Sequence, residues 1–370
     1  MKIGILTFWN SNDNYGQQLQ LYALQKFLRD NGHDVYLIRY NSQNDILGDN
    51  LVGKIKKIFN PKLVIRHLVY LRKKKISQKE EIENTRDFVN FRASNVNQSE
   101  IIYNSYNELK ENPPAADLYI VGSDQVWNFN NLPLYRVKNC IHAFFLDFGD
   151  RKIKKISFAA SWGVKTLPQD YIKEITPLIQ KFNYVTVRET SGLELCKMCG
   201  YKTPVTMIDP TILVNKSDYR LLYEKENLPL LKEKFLLIYR LNNDSCFQMD
   251  KILSFAKTKN LKIVYITGNG LIDKYEKTFA TIPEWIWYID NADYVITNSF
   301  HCCVFSILFH KQFVAIPIRG RNKDMNTRLD SLFELFKMKN RVINDNSFSL
   351  LDEAYSAVQP SVDTNFLEMI

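Results

Sequence analysis

The sequence predicts an α/β fold built from two Rossmann-like domains that face a cleft. Strand-like and helix-like segments alternate in both halves of the chain, and short polar loops follow the strands. The chain has 370 residues, which is long for one hydrophobic core and ordinary for two. Apolar residues make up 45% of it, so two cores of normal density can form.

The N-terminal segment predicts one β-loop-α-β unit. Its expected elements are a strand over residues 2–8, a polar loop over 10–16, a helix over 17–31 and a strand over 35–40. Leu21, Leu24 and Leu28 recur at helical spacing, and Gly32 stands where a C′ glycine ends a helix. Parallel strands joined by a helix imply a doubly wound sheet, which binds ligands at the carboxyl ends of its strands.

The same alternation continues along the chain. Further strands are expected at residues 117–122, 155–160, 185–188, 207–209, 235–239, 262–267, 294–297 and 313–316. Helices are expected at residues 170–181, 191–199, 245–259, 283–291, 302–309 and 328–336. Pro210 follows a strand, and we place the domain boundary there, with domains at residues 1–210 and 211–345. We expect residues 346–370 to pack back on the N-terminal domain.

The net charge of +9 is concentrated in one segment of the chain. Residues 51–79 contain ten lysines or arginines and no acidic residue, so the remainder is close to neutral. This distribution argues against nucleic-acid binding, which would spread basic charge over a whole face of the fold. Residues 51–95 predict a basic helical insertion. It is either a solvated helix packed on the first domain or a patch that contacts an anionic membrane or lipid-linked acceptor.

The composition also bears on location. No run of 18 apolar residues is present, so no membrane-spanning helix is expected. The first residues lack the charged and apolar regions of a signal peptide. Six cysteines are too few for a disulfide scaffold. Together these features predict a cytoplasmic protein.

The strongest local signal lies in residues 293–309. Asn298, Ser299 and His301 follow the end of a strand and precede an almost wholly apolar helix. Free N–H groups and the helix dipole make such a place a natural anion site. A histidine there can exchange protons near neutral pH. The structural alternative is that Asn298 or Ser299 only caps the helix and that His301 is a satisfied structural histidine.

Three other strand ends offer polar groups. In the loop of residues 10–18, Gly16 allows a ligand to approach the backbone closely. After the strand ending at residue 122, Asp124 can accept a proton, or a hydrogen bond from a sugar hydroxyl. Trp127 can stack on a sugar face. Arg188 ends a strand at the same cleft edge, and its guanidinium suits a carboxylate or phosphate. Each of these sites also has a structural alternative. The loop of residues 10–18 would be an ordinary turn, Asp124 would cap a helix while Trp127 packs in the core, and Arg188 would form a salt bridge.

The cysteine patterns carry little functional signal. Cys196 and Cys199 form a CxxC, but no second pair stands at zinc-site spacing, and no metal site is expected. Cys302 and Cys303 lie beside His301 inside an apolar helix, so packing explains them better than nucleophilic chemistry.

Seven segments occur in order along nearly the whole chain. They are NDNYGQQLQLYALQKFLRDNGHDV, YIVGSDQVWN, ISFAASWG, VTVRETSG, MIDPTIL, ITNSFHCCVFSILF and NTRLDSLFELF. Together they resemble the polysaccharide pyruvyl transferase family. The resemblance implies a GT-B-like fold, phosphoenolpyruvate as the donor, and a sugar of a surface or capsular polysaccharide, or of its lipid-linked precursor, as the acceptor. It implies a cyclic pyruvate ketal as the product, with phosphate released, and neither a metal nor a nicotinamide.

The resemblance also implies roles for individual residues. His301 corresponds to the family's histidine and would be the general acid or base. Arg188 corresponds to the arginine after a VTV-like strand and would hold the carboxylate or phosphate of the donor. Some members carry an arginine two residues before the histidine, where this chain has Ser299. Arg240 and Arg328 are the candidates to replace that cation.

The remaining expected site residues divide between the two domains. Asp124 is a third predicted catalytic residue. The predicted donor side, on the C-terminal domain, comprises Asn298, Ser299, Arg240, Thr327 and Arg328. The predicted acceptor side, on the N-terminal domain, comprises Asn14, Tyr15, Gly16, Gln17, Ser123 and Trp127. Two other functions fit the same cleft: a GT-B glycosyltransferase that uses a nucleotide sugar, and a non-catalytic component of a glycan-assembly complex.

Overall fold

The computed structural model describes residues 1–47, 86–129, 132–226, 228, 231–241, 247–268, 270–271, 273–343, 348–353 and 355. Within them the chain forms two parallel β-sheets with helices between the strands. The predicted α/β fold class is confirmed: the described residues form two Rossmann-like domains, each built on a parallel sheet.

The first sheet described has seven strands. They are β1 Lys2–Leu6, β2 Asp34–Tyr40, β3 Gln98–Tyr103, β4 Leu118–Val121, β5 Lys154–Ala160, β6 Tyr184–Val187 and β7 Val205–Thr206. Their spatial order is β3-β2-β1-β4-β5-β6-β7, and each pairing is parallel. The first six strands therefore follow the doubly wound order, in which ligands bind at the carboxyl edge.

Helices connect these strands. They are α1 Tyr15–Asp30, α2 Ser42–Leu47, α3 Phe88–Asn95, α4 Tyr106–Glu111, α5 Leu134–Phe144, α6 Gln169–Ile179 and α7 Thr190–Met198. The predicted C′ glycine of α1 is confirmed. Gly32 has φ of 84°, a left-handed conformation that glycine adopts without a steric penalty.

The second sheet described has four strands. They are β8 Phe235–Leu241, β9 Lys262–Gly268, β10 Tyr294–Thr297 and β11 Gln312–Ala315, in the order β11-β10-β8-β9. The helices of this half are α8 Lys216–Tyr223, α9 Met249–Thr258, α10 Ile282–Asn291, α11 Phe300–Leu308 and α12 Thr327–Leu335. The chain crosses from the first sheet to the second between Thr206 and Phe235, a stretch that contains Pro210.

Helix α1 belongs to the cores of both domains. Leu21, Leu24 and Leu28 pack with the strands of the first sheet. Tyr15 lies on the other side of the helix, and its ring stacks on Trp285 of the second domain at a centroid distance of 5.2 Å. Burying a large apolar side chain contributes about 1.5–3 kcal/mol. The domains are therefore joined by a continuous apolar contact along α1.

The C-terminal segment departs from its prediction. Phe348 and Leu351 are buried in the core of the second domain, and the Arg341 guanidinium donates to the carbonyl oxygens of Leu350 and Glu353, at 2.6 Å each. Tyr355 also contacts the second domain, because its hydroxyl donates to the Lys311 carbonyl at 2.8 Å. The expectation that residues 346–370 pack back on the N-terminal domain is therefore wrong for the part of this segment that the structure describes. The rest of that segment lies outside the described residues.

The basic segment of residues 51–79 also lies outside the described residues. Of the predicted insertion at residues 51–95, the structure describes only the end, which includes α3. None of the helices described is both long and apolar enough to cross a membrane.

Candidate active site

His301 lies in the first turn of α11, at the cleft between the domains. Ser299 caps this helix, because its Oγ accepts a hydrogen bond from the Cys302 N–H at 3.4 Å. Thr297 fixes the preceding strand end by donating from Oγ1 to the Tyr239 carbonyl at 2.7 Å. The first-turn N–H groups of a helix lack intrahelical partners and carry the positive end of its dipole. The position therefore suits an anion beside the histidine.

The imidazole of His301 packs against the N-terminus of α1, on the other domain. A Cβ built on Gly16 would lie 2.1 Å from His301 Nδ1 and 2.5 Å from its Cγ. Any larger residue at Gly16 would displace the ring. Asn14 caps α1 by accepting from the Gln17 N–H at 3.2 Å. The N-termini of α1 and α11 therefore meet at the domain boundary.

Asp209 connects His301 to the first domain. Its Oδ2 lies 3.5 Å from His301 Nε2 and 2.9 Å from Arg188 Nη2, and accepts a hydrogen bond from Ser123 Oγ at 3.0 Å. Its Oδ1 accepts from the Thr211 N–H at 3.0 Å and from Thr211 Oγ1 at 2.6 Å. A separation of 3.5 Å is too long for a strong N–H···O bond, so the contact with His301 is mainly electrostatic.

The Asp209 carboxylate is a fixed negative charge. Burial opposes its ionisation, but the charges of Arg188 and His301 outweigh burial and hold the pKa of Asp209 well below its usual range. The carboxylate can therefore orient both basic groups without taking up a proton near neutral pH.

Arg188 has hydrogen-bond donors without a partner in the described part of the chain. Its Nη2 contacts Asp209 and Ser123, while its Nε and Nη1 are buried and have no hydrogen-bond partner among the described residues. Buried donors are nearly always satisfied in folded proteins. The unsatisfied N–H groups on Nε and Nη1 can therefore donate to a carboxylate or phosphate ligand.

Arg328 brings a second guanidinium to the same place. The ring of Phe300 lies between the two arginines, with its centroid 4.9 Å from Arg188 Cζ and 5.8 Å from Arg328 Cζ. Burial, and then the neighbouring Arg188, lower the pKa of Arg328 to about 10. The Gln125 amide, oriented by its hydrogen bonds, accepts from Arg328 Nη1 at 3.1 Å.

Two cavities adjoin this cluster. The smaller cavity has a volume of about 190 Å³, and the larger one about 390 Å³. His301 lines only the smaller cavity and Arg188 only the larger, while Phe300 and Arg328 line both. The other residues that line the smaller cavity are Phe8, Asn14, Gln17, Asp124, Gln125, Leu241, Asn298, Ser299, Ile318 and Met325.

The sequence model of the polysaccharide pyruvyl transferase family matches residues 14–319. The chain belongs to this family. The matched range contains Arg188, Asp209 and His301, and it ends before Arg328. No curated protein is significantly similar in sequence to this family member.

The solved structures that resemble this chain share little sequence with it. The UDP-GlcNAc 2-epimerase of Methanocaldococcus jannaschii, in complex with UDP-GlcNAc and UDP, has a TM-score of 0.49 and 12% identity, and the match covers 100% of this chain and 99% of the epimerase. The UDP-N-acetylglucosamine 2-epimerase of Rickettsia bellii has a TM-score of 0.47 and 10% identity, with 99% and 89% covered. Similarities this low bear on neither donor nor reaction.

The structure brings several of the predicted site residues of this family member together. Asn14, Gln17, Asp124, Asn298, Ser299, His301 and Arg328 line one cavity. Gly16 contacts the His301 ring. Asn298 serves the fold as well, because its Oδ1 accepts from the Leu241 N–H at 2.8 Å and its Nδ2 donates to the Leu241 carbonyl at 2.6 Å.

The structure contradicts the acceptor-binding role that the sequence predicted for three residues. Tyr15 is fully buried in the apolar contact between the domains and donates to the Ala280 carbonyl at 2.6 Å. Trp127 is fully buried and stacked on Phe145 at 4.9 Å. Ser123 is buried behind the cavities and donates to Asp209. None of these side chains is exposed to a ligand, because each already packs against or bonds to the protein.

Two predicted donor residues also lie elsewhere. Arg240 stacks on Phe247, with Cζ 5.2 Å from the ring centroid, and its Nη1 lies 3.8 Å from Asp273 Oδ2. Thr327 is buried and donates to the Asp324 carbonyl at 2.8 Å. Neither lines either of the two cavities. Of the two arginines expected to replace the cation missing at Ser299, only Arg328 lies at the site.

Sequence reasoning assigned no role to Asp209. The residue stands in the segment MIDPTIL, just after a strand end on the same sheet edge as Arg188, and that position is the signal that could have found it. The cysteines agree with the packing interpretation. Cys302 and Cys303, to which that interpretation applies, are fully buried, and burial raises the pKa of the Cys302 thiol to about 12. Among the described residues, no group of three or more His, Cys, Asp or Glu side chains could hold a metal ion.

Proposed function

We propose that the protein transfers the pyruvyl group of phosphoenolpyruvate to two hydroxyls of a sugar in a surface or capsular polysaccharide, or in its lipid-linked precursor. The product is a cyclic pyruvate ketal, and inorganic phosphate is released. The observation that supports this most strongly is the cluster of His301, Asp209 and Arg188 at the domain boundary, beside a cavity that Arg328 lines.

The reaction needs one proton at carbon and one leaving group. Protonation of C3 of the enol makes C2 electrophilic, and the oxygen of the first sugar hydroxyl forms a bond to C2. The second hydroxyl then attacks C2, the bond from C2 to the phosphate oxygen breaks, and the ketal closes. Of the two hydroxyl protons, one balances the proton added at C3 and the other leaves with phosphate. Neither a metal nor a nicotinamide is required for these steps.

The residues of the smaller cavity have matching capacities. Arg328 and the N-termini of α1 and α11 provide donors and positive potential for a phosphate or carboxylate. His301 supplies the proton to C3, an effect that is typically worth ~10²–10⁴-fold in rate. Asp209 holds the imidazole and Arg188 in place. Asp124 lines the same cavity, and its carboxylate can take the proton that a sugar hydroxyl releases.

Titration with phosphoenolpyruvate tests the donor. We expect millimolar phosphoenolpyruvate to raise the melting temperature of the protein, because a ligand that binds only the folded state stabilises it. Arg328→Met should weaken this effect by about tenfold in ligand concentration. Arg240→Met is the matched control, since Arg240 is also a buried arginine but lies outside both cavities. If Arg240→Met and not Arg328→Met removes the effect, the donor cation has been misassigned.

The product distinguishes the remaining functions. Incubation with glycan acceptors and phosphoenolpyruvate should release phosphate and add the mass of a pyruvate ketal to the acceptor. Addition of a hexose mass from a nucleotide sugar would instead establish a glycosyltransferase. A wild-type protein that neither binds phosphoenolpyruvate nor modifies an acceptor would fit a non-catalytic component of a glycan-assembly complex.

We also propose that the protein is cytoplasmic, because the reaction needs a compartment that supplies phosphoenolpyruvate. Contact with the inner face of the membrane through the basic segment of residues 51–79 stays a prediction from the sequence.

A further inference from the structure

We propose that Gln125 is a positioning residue that sets the affinity for the anionic donor. It holds Arg328 across the domain boundary with an uncharged oxygen, so that the charge of the guanidinium stays available to an anion. Gln125 belongs to the first domain and Arg328 to α12 of the second, and both line the smaller cavity. This inference rests on the proposed function, because it assigns a further residue to donor binding in that reaction.

The two arginines of the site are held in different ways. Arg188 Nη2 lies 2.9 Å from Asp209 Oδ2, so a carboxylate balances its charge. Arg328 has Nη1 3.1 Å and Nε 3.2 Å from the amide oxygen of Gln125. An amide oxygen accepts hydrogen bonds but carries no net charge. Within the described residues, the charge of Arg328 is therefore left without a carboxylate in contact with it.

The surroundings of Arg328 do not compensate this charge. The residue is buried, and burial, followed by the positive charge of Arg188, lowers its pKa to about 10. Asp124, Glu189 and Asp209 favour the charged form, but only through space. A buried arginine is rarely found without an anionic partner. An anion in the adjoining smaller cavity would supply that partner.

The backbone of the first domain directs Gln125 towards Arg328. The preceding residue, Asp124, has φ of 89°, in the left-handed region that side-chain-bearing residues rarely adopt. Its carbonyl oxygen accepts from the Ser161 N–H at 2.9 Å, and its Oδ1 accepts from the Gln125 N–H at 2.8 Å. These bonds hold the unusual turn from which the Gln125 side chain extends across the domain boundary.

A glycine leaves room for the Gln125 amide. Gly163 has φ of 59°, and a Cβ built on it would lie 2.7 Å from Asn128 Nδ2 and 3.1 Å from Gln125 Cδ. The side-chain amides of Gln125 and Asn128 contact each other at 2.9 Å. The direction of the Gln125 side chain is thus fixed from its own domain, independently of Arg328.

Gln125→Glu tests the role of the missing charge in the full chain. Glutamate has nearly the shape of glutamine, so its carboxylate would pair with Arg328 and compete with a ligand anion. We expect it to weaken the binding of phosphoenolpyruvate and of inorganic phosphate by about tenfold or more in calorimetric titrations, without lowering the melting temperature. Gln169→Glu is the matched control, because Gln169 is exposed and lines neither cavity.

Gln125→Met separates positioning from packing. Methionine keeps the length of the side chain and adds no charge, but it cannot accept the hydrogen bonds of Arg328. We expect a loss of about threefold in the affinity for both anions, smaller than that of Gln125→Glu. A packing role predicts the reverse order, since glutamate preserves the shape better. In an Arg328→Met background, Gln125→Met should cause no further loss, because it acts through Arg328.

The proposal is overturned if Gln125→Glu binds both anions as the wild type does, or if Gln125→Met binds them more weakly than Gln125→Glu. It is also overturned if Gln169→Glu loses as much affinity, or if the wild type binds neither anion. Additive losses in the double variant would contradict it as well, and this test remains if Gln125→Glu does not fold. A wild type that binds phosphate but not phosphoenolpyruvate would instead contradict the proposed donor, while the order of the variants with phosphate would still judge Gln125.

Discussion

The chain places two histidines beside carboxylates in opposite ways. His142, in α5, has Nδ1 2.7 Å from Asp147 Oδ2 and Nε2 2.7 Å from Glu174 Oε1. Carboxylate oxygens only accept hydrogen bonds, so both ring nitrogens donate, as only the imidazolium form can. The hydrogen bond to Asp147, above all, raises the pKa of His142, although burial opposes it. His301 instead has a single carboxylate at 3.5 Å and the backbone of Gly16 against its ring.

The difference separates a structural histidine from the proposed proton carrier. His142 is saturated with short charged contacts, and it ties α5 to Glu174 of α6. A ring held in this way keeps its proton. His301 has no hydrogen bond at its buried Nε2 within the described structure, and its side chain lines the smaller cavity. The number and length of the partner contacts distinguish the two roles, whereas residue types alone do not.

The largest expected effect comes from replacing His301 with alanine, with the same replacement at His142 as the control. His301→Ala should lower the rate of pyruvyl transfer by ~10²–10⁴-fold, because it removes the proposed proton donor. His142→Ala, the control, should leave the turnover of the folded protein unchanged, because its contacts lie outside both cavities. Phosphate release at saturating phosphoenolpyruvate measures both. Full activity of His301→Ala would disprove the assigned role.

Asp209→Asn should have the next largest effect, on stability. The substitution keeps the shape of the side chain but leaves Arg188 buried without its counter-ion. Breaking a buried ion pair in this way costs about 3–5 kcal/mol in the free energy of unfolding. Urea denaturation measures the loss, and Asp352→Asn is the control, because its partner Lys259 is exposed and the change should be small. Equal stability of Asp209→Asn and the wild type would show that Arg188 does not depend on Asp209.

Gly16→Ala should reduce activity by moving His301. The new Cβ would lie 2.1 Å from Nδ1, so the imidazole must shift. A shift of about 1 Å at a reacting group can cost ~10²-fold in rate. The control is the double variant: in a His301→Ala background, Gly16→Ala should cause no further loss. Additive losses in the double variant would mean that Gly16 acts independently of the histidine.

His142→Gln should have the smallest effect, and it depends on pH. Because folding raises the pKa of His142, its contribution is complete below its ordinary value near pH 6.5 and is lost as pH rises through the folded value. The lowered pKa of Asp147 adds a contribution present above about pH 4 and lost on acidification. The wild type should exceed the variant in the free energy of unfolding by about 2 kcal/mol between these values. Denaturation at several pH values measures this difference in the free energy of unfolding, which should become smaller at alkaline pH. A difference that stays constant with pH would contradict the charged hydrogen bonds assigned to His142.

Most of the fold could be predicted from the sequence, because buried parallel strands are short apolar runs separated by helices. β3 escaped detection for a physical reason. It is the edge strand of the first sheet, and Ile101 and Ile102 on it are exposed, so it lacks the pattern of a buried strand. The destination of the C-terminal segment was mispredicted, since sequence pattern does not specify which core Phe348 and Leu351 will join.

The site was predicted in part. His301, Asp124 and Arg328 share a cavity because each follows a strand end or begins a helix at the same cleft. The sequence could not show that Asp209 would meet His301, since that contact depends on how two separately folded sheets face each other. It also could not show that Tyr15, at the start of α1, points into the neighbouring domain rather than toward a ligand.

Helix α1 has a consequence for the ancestry of the protein. Its second apolar face, with Tyr15, Leu19 and Tyr22, matches the surface of one particular neighbour. A first domain inherited without that neighbour would carry these side chains in water. Recombination that brought in a different second domain would have to replace this face of the helix at the same time. The two halves of the protein are therefore constrained to evolve as a single heritable unit.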